Sequence, residues 1–309
     1  MPDQNQPKGD EAERILFITL SCVGDAITTT PVLQTVHKAY PDACVDIVAD
    51  KRSSILFSRC PYKGDIIHKD KNGLFRGAFD LIKNLRKINY DLIVDLRTDG
   101  IAFLLKGKSK LVKWNKRPYG LHAIEQHMGI VRNIHGDEAI PDTCLWLDED
   151  HNKYADKVLS ELPGNIWLAM APGVSAVLKR WPASKYAELA NSLSDVFEGV
   201  ILVGSSSERL QTGAVKAELT LPSVDLAGSD LLEAAAVLNR ATLFVGSDSG
   251  LGHVAGAMGT ATMTFFSKEQ PDRYLPWGPS ASWLKGENDD VGNIEVKDVE
   301  AKIREALSA

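Results

Sequence analysis

Four cysteines, Cys22, Cys44, Cys60 and Cys144, are all that this 309-residue chain contains, and no two of them form a C-x-x-C pair. Their scatter indicates neither a zinc ribbon nor a disulfide framework, and it fits a reducing cytosol. Long apolar runs are missing as well. No stretch of ~18 apolar residues occurs, and residues 1–13 are polar and lack the apolar core of a secretory leader, so the expectation is a chain that is soluble or at most peripheral to a membrane. There is no excess of basic charge either: 35 Lys and Arg against 41 Asp and Glu give a net charge of -6. That removes electrostatic support for general nucleic-acid binding. No G-x-G-x-x-G follows the first apolar run, which weakens a dinucleotide dehydrogenase, and no G-x-x-x-x-G-K-[ST] is present, which argues against a P-loop nucleotidase. Gly246–Gly250 (GSDSG) has the outline of a serine-hydrolase elbow, but Asp248 stands where the nucleophilic serine belongs.

What is present is ordinary globular material, 44% hydrophobic and 25% charged, in a length that suits two domains. Arg14–Leu20 (RILFITL) is a short apolar run followed by a small loop and a helical pattern through Tyr40. Cys44–Ala49 and Tyr90–Leu96 repeat the strand signal, and helical segments lie around Phe75–Ile88 and His122–Ile134. Gly136–Thr143 breaks the pattern with Gly, Pro and acidic residues. The alternation then resumes with Ile166–Ala171, Val200–Val203 and Leu243–Val245 as strands and with helices from Ser184, Ser206, Asp230 and Leu251. Alternating strands and helices predict parallel α/β sheets. The reading is a disordered extension over 1–13, one Rossmann-like domain over 14–140 and a second over 141–309, with the last helix able to pack back on the first domain. In such sheets ligands meet the loops at the carboxyl ends of the strands.

Those loops carry the polar chemistry. In Gly246–Gly250, amides at the head of the helix from Leu251 can hold a phosphate, and Ser249 adds a hydroxyl; an ordinary Asp or Ser cap explains the segment equally well. His253 lies one turn further on. Pro172–Pro182 (PGVSAVLKRWP) presents Lys179 and Arg180, which suit an anion or a solvated surface. Gly204–Glu208 (GSSSE) offers Glu208 to ribose hydroxyls or to a helix N-terminus. Ser21–Asp25 (SCVGD) ends the first strand with Asp25, whose bland role is a helix cap. Asp148-Glu149-Asp150 is read as capping, not as a metal-binding D-x-D. Between Gly100 and Ile124 stand Lys106, Lys108, Lys110, Lys113, Lys116 and Arg117 with no acidic residue, and Trp114 and Tyr119 are interleaved. That asymmetry suits a phosphorylated or carboxylated glycolipid at a membrane surface, or simply a solvated basic face.

Taken in order, RILFITLSCVGDAITTTPVLQTVHKAYPDA, YDLIVDLRTDG, LHAIEQHMGIVR, APGVSAVLKRWPASKYAELA, VILVGSSSE and FVGSDSGLGHVAGAMGT resemble family-nine glycosyltransferases, the bacterial heptosyltransferases of the lipopolysaccharide inner core. The resemblance covers most of residues 14–266. It implies the glycosyltransferase B type, two Rossmann-like domains facing a central cleft, with the acceptor on the N-terminal domain and an ADP-sugar on the C-terminal one. It implies Asp25 as general base, Ser175, Lys179, Asp248, Ser249, Gly250 and His253 around the diphosphate, and Glu208 at the ribose; Leu226-Ala227-Gly228 would pass the adenine. On the acceptor side it points to Arg97, Lys116, His122 and Gln126. Two positions depart from the family: Ala171-Pro172-Gly173 stands where His-Pro-Gly is frequent, and Gln126 where some members have Arg. The expected reaction is an inverting transfer of heptose from ADP-heptose to a core glycan or glycolipid, with no metal and no cofactor. It would run in the cytoplasm, with contact at the inner face of the inner membrane. Asp99 and His122 are the reserve bases. A sugar-nucleotide epimerase and a non-catalytic ADP-sugar-binding protein are the alternatives.

Overall fold

The computed structural model describes residues 12–68, 76–97, 100–115, 119–174, 176–278 and 280–308. It forms two compact units that divide between Trp146 and Leu147, later than the 140/141 boundary expected. The polar stretch before Trp146 belongs to the first unit because it is bonded there. Gln34 Nε2 donates to the Asp142 carbonyl at 2.7 Å, and the Cys144 amide donates to Thr30 Oγ1 at 3.1 Å.

The first unit has five strands, β1 (Arg14–Ile18), β2 (Cys44–Ala49), β3 (Lys63–His68), β4 (Tyr90–Asp95) and β5 (Gly107–Val112), in the order β3-β2-β1-β4-β5. All pairings are parallel. β1 and β4 read as continuous apolar runs because helices cover both faces of a parallel sheet. The edges β3 (KGDIIH) and β5 (GKSKLV) were invisible to that criterion, since an edge strand carries polar residues that discourage further pairing. Part of the basic bias of 100–124 thereby has a structural origin: Lys108 pairs with Asp91 at 2.6 Å, and Lys110 Nζ donates to the Leu105 carbonyl at 3.0 Å.

Two buried aspartates tie the amino end of this sheet. Asp46 is wholly buried and accepts from Arg14 Nε (2.9 Å), Tyr90 OH (3.0 Å) and the Asp65 amide (2.9 Å). Asp91 accepts from the amides of Glu13 and Arg14 at 2.9 and 3.1 Å. Ala12 is buried and Glu13 is bonded, so the expected disordered extension is corrected at residues 12 and 13; the rest of it, 1–11, lies outside the described residues. A carboxylate supplied by β4 recruits this polar segment, which its own composition does not reveal.

The second unit has six parallel strands, β6 (Trp167–Ala171), β7 (Gly199–Leu202), β8 (Ser223–Asp225), β9 (Leu243–Ser247), β10 (Ala261–Phe266) and β11 (Ala281–Lys285), in the order β11-β10-β9-β6-β7-β8. Counted within the unit this is the doubly wound 3-2-1-4-5-6 order. The last helix, Val296–Ser308, buries Val296, Val299 and Ile303 with Trp181, Tyr186 and Phe265 in the core of this unit. Arg304 also pairs with Asp195 at 2.9 Å. Its buried apolar residues thus serve the core of the second unit. The chain thus has the two parallel-sheet α/β units expected of it.

Candidate active site loops

Strand order reverses in the second unit between β6 and β9, so the connections leaving them run to opposite faces and leave a crevice at the strand ends. Lys179 follows β6 and Asp248 follows β9. Their side chains meet at 2.7 Å, and Lys179 also reaches Glu269, after β10, at 3.0 Å. The three groups are only 15–20% exposed. Burial opposes the charge on Lys179, but its hydrogen bonds and attraction to Asp248 and then Glu269 outweigh that and raise its pKa. Burial likewise pushes the Glu269 carboxyl up, yet the Ser267 hydroxyl (2.7 Å) and Lys179 bring it below its usual range.

The loop holding Lys179 is anchored from below. Trp181 is 1% exposed, packs on Tyr186 and Phe265, and donates Nε1–H to the Ile294 carbonyl at 2.9 Å. Ser247 Oγ donates to the Lys179 carbonyl at 2.5 Å, and Tyr186 OH to the Ala171 carbonyl at 3.2 Å. Beside the cation, Ser249 is the cap residue of the helix Gly250–Ala257, with an extended backbone and no capping bond from its side chain. The helix begins one residue earlier than expected, so Gly250 is its first residue, and His253 lies half-buried one turn along. Glu208 closes a capping box, accepting from the Ser205 amide at 2.7 Å and hydroxyl at 2.8 Å. Its side chain lies across Gly173, where a methyl group would stand 2.4 Å from Glu208 Cδ. The loop after β7 therefore leans on the loop after β6, and only a residue without a Cβ permits it. Gly228, at φ +90°, donates its amide to the Gly204 carbonyl at 2.8 Å and keeps Leu226–Gly228 beside the same loop. Ser175 lies outside the described residues.

In the first unit the reversal falls between β1 and β4. Asp25, after β1, is exposed in the first turn of the short helix Val23–Ile27. The cap position of that helix is Cys22, so the bland reading of Asp25 as the cap does not hold; its charge still suits a helix N-terminus. Thr28, Thr29 and Thr30 turn their hydroxyls back to the carbonyls of Asp25, Ala26 and Ile27 at 2.6–2.8 Å, which ends this helix and starts the next. Arg97 follows β4, its amide bonded to the buried Asp95 at 2.9 Å. His122 caps the helix Ala123–Met128: its Nδ1 accepts the Ile124 amide at 3.2 Å, while Glu125 accepts the His122 amide at 2.8 Å. Gln126 Nε2 donates to the Leu121 carbonyl at 3.1 Å. Local bonding thus accounts for part of what His122 and Gln126 do. Lys116 and Asp99 lie outside the described residues. Asp148 caps the helix Glu149–Leu159 in a capping box with His151, as read from the sequence.

A cavity of about 530 Å³ in this unit is lined by residues including His37, Tyr62, His135, Glu138 and Trp146. It sits by the end of the helix Thr30–Ala39 and the start of β3, the opposite end of the sheet from Asp25.

The model of glycosyltransferase family 9 (heptosyltransferase) matches residues 78–303. This chain belongs to that family. The match takes in Lys179, Glu208, Asp248 and Glu269 and leaves Asp25 before its start. Among the curated relatives of this family-nine glycosyltransferase, the lipopolysaccharide heptosyltransferase 3 of Escherichia coli is 26% identical over 285 residues, 82% of each chain. A family 9 glycosyl transferase from Veillonella parvula superposes with a TM-score of 0.84 at 20% identity, over 99% of this chain and 100% of that one. The Escherichia coli ADP-heptose lps heptosyltransferase II gives 0.78 at 21%, over 96% and 98%. At such identities the superpositions establish the fold, the glycosyltransferase B type of these heptosyltransferases. One residue of the cluster, Glu269, escaped the sequence reading because β10 (ATMTFF) was not recognised as a strand; a carboxylate just beyond an apolar run was the signal that could have found it.

Proposed function

We propose that this family-nine enzyme transfers heptose from ADP-heptose to a phosphorylated or carboxylated glycan or glycolipid of the lipopolysaccharide core, inverting the anomeric centre without a metal. The observation that carries the reading is the Lys179 ammonium beside the N-terminus of Gly250–Ala257, at the β6/β9 reversal. An ammonium and a helix N-terminus can take up the negative charge that grows on a departing diphosphate. Glu208 has lone pairs beyond the two bonds it accepts from Ser205, enough for ribose hydroxyls. Ser175, Asp248, Ser249, Gly250 and His253 complete the donor side, and Leu226–Gly228 the adenine side.

The acceptor belongs to the first unit, with Arg97, Lys116, His122 and Gln126 as its contacts. Asp25 takes the proton of the acceptor hydroxyl as that oxygen bonds to the anomeric carbon, the bond to the diphosphate breaks, and ADP leaves with its electron pair. Among the described residues no helix is long and apolar enough to cross a membrane, and the enzyme works from the cytoplasm on an acceptor held at the inner face of the inner membrane. Family membership favours transfer over the epimerase and the silent binder.

The test is a mass-spectrometric assay of purified protein with ADP-heptose and truncated core acceptors. Product heavier than the acceptor by one heptose is expected. Asp25→Asn should lose ~10²–10⁴-fold in rate, the usual worth of a general base, while still gaining thermal stability from ADP. Turnover of donor without any acceptor, or a near-normal rate for Asp25→Asn, would reject the reading.

A further inference from the structure

We propose that the β5 edge of the first unit carries a docking patch for an anionic lipid surface. Three large apolar side chains are exposed there, Phe103 (49%), Leu104 (55%) and Trp114 (70%). They come from the two ends of one strand. Phe103 and Leu104 close the short helix Ile101–Leu104 before β5, and Trp114 lies in the turn Lys113–Asn115 after it. The Phe103 and Trp114 rings stack on each other, centroids 5.1 Å apart and planes 22° from parallel. Isolated exposed apolar residues are ordinary, but a preassembled aromatic pair beside a leucine is a surface waiting for an apolar partner.

Charge identifies the partner. Lys106 and Lys113 bracket the strand and are exposed, and no acidic residue occurs between Gly100 and Ile124. The nearby carboxylate of Asp91 is already taken by Lys108 and two backbone amides. In a chain of net charge -6 this is a local exception, and an aromatic ring flanked by lysines fits the headgroup level of an anionic leaflet, where indole and phenyl groups settle and ammonium groups find phosphates. A second copy of the chain suits the patch less well. A two-fold contact would set the same lysines against themselves, and lysines on an edge strand resist the addition of another strand. The inference rests on the proposed lipid-borne acceptor for its purpose, because an enzyme held at the leaflet meets such an acceptor without searching in three dimensions.

The test uses the full chain with sedimenting vesicles of phosphatidylcholine alone or with one quarter phosphatidylglycerol. Wild-type protein should partition to the anionic vesicles, be released by salt as exposed charges are screened, and show a blue-shifted tryptophan emission that Trp114→Phe lacks. Phe103→Ser with Trp114→Ser should cut the partition about tenfold or more. Because both side chains are exposed, the double variant should keep its melting temperature, its stabilisation by ADP and its transfer to a soluble truncated acceptor. Equal partition of the double variant, binding indifferent to lipid charge, or self-association that the double variant abolishes would each overturn the proposal. Loss of transfer to the soluble acceptor in wild type would instead strike the proposed function and leave the lipid measurement standing.

Discussion

Lys179 is the residue on which the proposed donor site turns, and its surroundings make that proposal measurable. Two carboxylates compete for one ammonium, so a diphosphate that engages Lys179 must displace part of that pairing. Glu269→Gln removes one competing charge, and the variant should bind ADP more tightly in calorimetry; Lys179→Ala should abolish the thermal shift. The same pair has a pH signature. The folded pKa of Glu269 is depressed, so its contribution is present above the unfolded carboxylate value and is lost as pH falls through the lower folded value. That of Lys179 is raised, so its contribution is complete below 10.5 and is lost only as pH rises through the higher folded value. Wild type should therefore exceed Glu269→Gln in stability by roughly 1–3 kcal/mol across the neutral range. The difference should vanish below the ordinary carboxylate range, as thermal melts at stepped pH would show. Gly173→Ala tests the lean of Glu208 on the β6 loop: the added methyl must push Glu208 aside, raising the KM for the donor with little loss of stability.

Elements explain how such residues are held. The β6 loop is long, yet Trp181 sinks into the core of the second unit and bonds to the segment before the last helix. Trp181→Ala should cost about 3–5 kcal/mol in urea unfolding, as large aromatic deletions do, and should weaken ADP binding in the fraction that remains folded. In the first unit Asp91→Ala would leave the Glu13 and Arg14 amides without their acceptor, at about 1–3 kcal/mol. The interior strands other than β10 were legible because burial on both faces demands an unbroken apolar run. The strands β3, β5, β8, β10 and β11 were not read from the sequence. β3 and β5 bear charge, β8 has only three residues, and β10 alternates threonines with apolar residues.

At the scale of the whole molecule, the two units carry separate sheets, and the proposed function puts the donor loops in one and Asp25 in the other. ADP should raise the melting of the second unit by mass action, ~2.7 kcal/mol at a hundredfold excess over Kd, with UDP giving less. Transfer should continue in excess EDTA if, as proposed, an ammonium and a helix N-terminus take the place of a cation at the diphosphate. Loss of rate restored by magnesium or manganese would overturn that expectation.

The sequence by itself determined that the chain folds as two parallel α/β units, and which small-residue loops follow strands. Those are local properties, written in apolar runs, helical periodicity and the glycines and serines at their ends. It also supplied the ordered motifs that resemble family nine. Only the tertiary structure decided that Lys179 meets Asp248 across 69 residues of chain, that Glu269 joins them, that Glu208 lies on Gly173 and that Cys22, not Asp25, takes the cap. Each of these depends on strand order and close packing, which couple side chains distant in the chain through burial and backbone pairing and leave no signature in any short stretch of sequence.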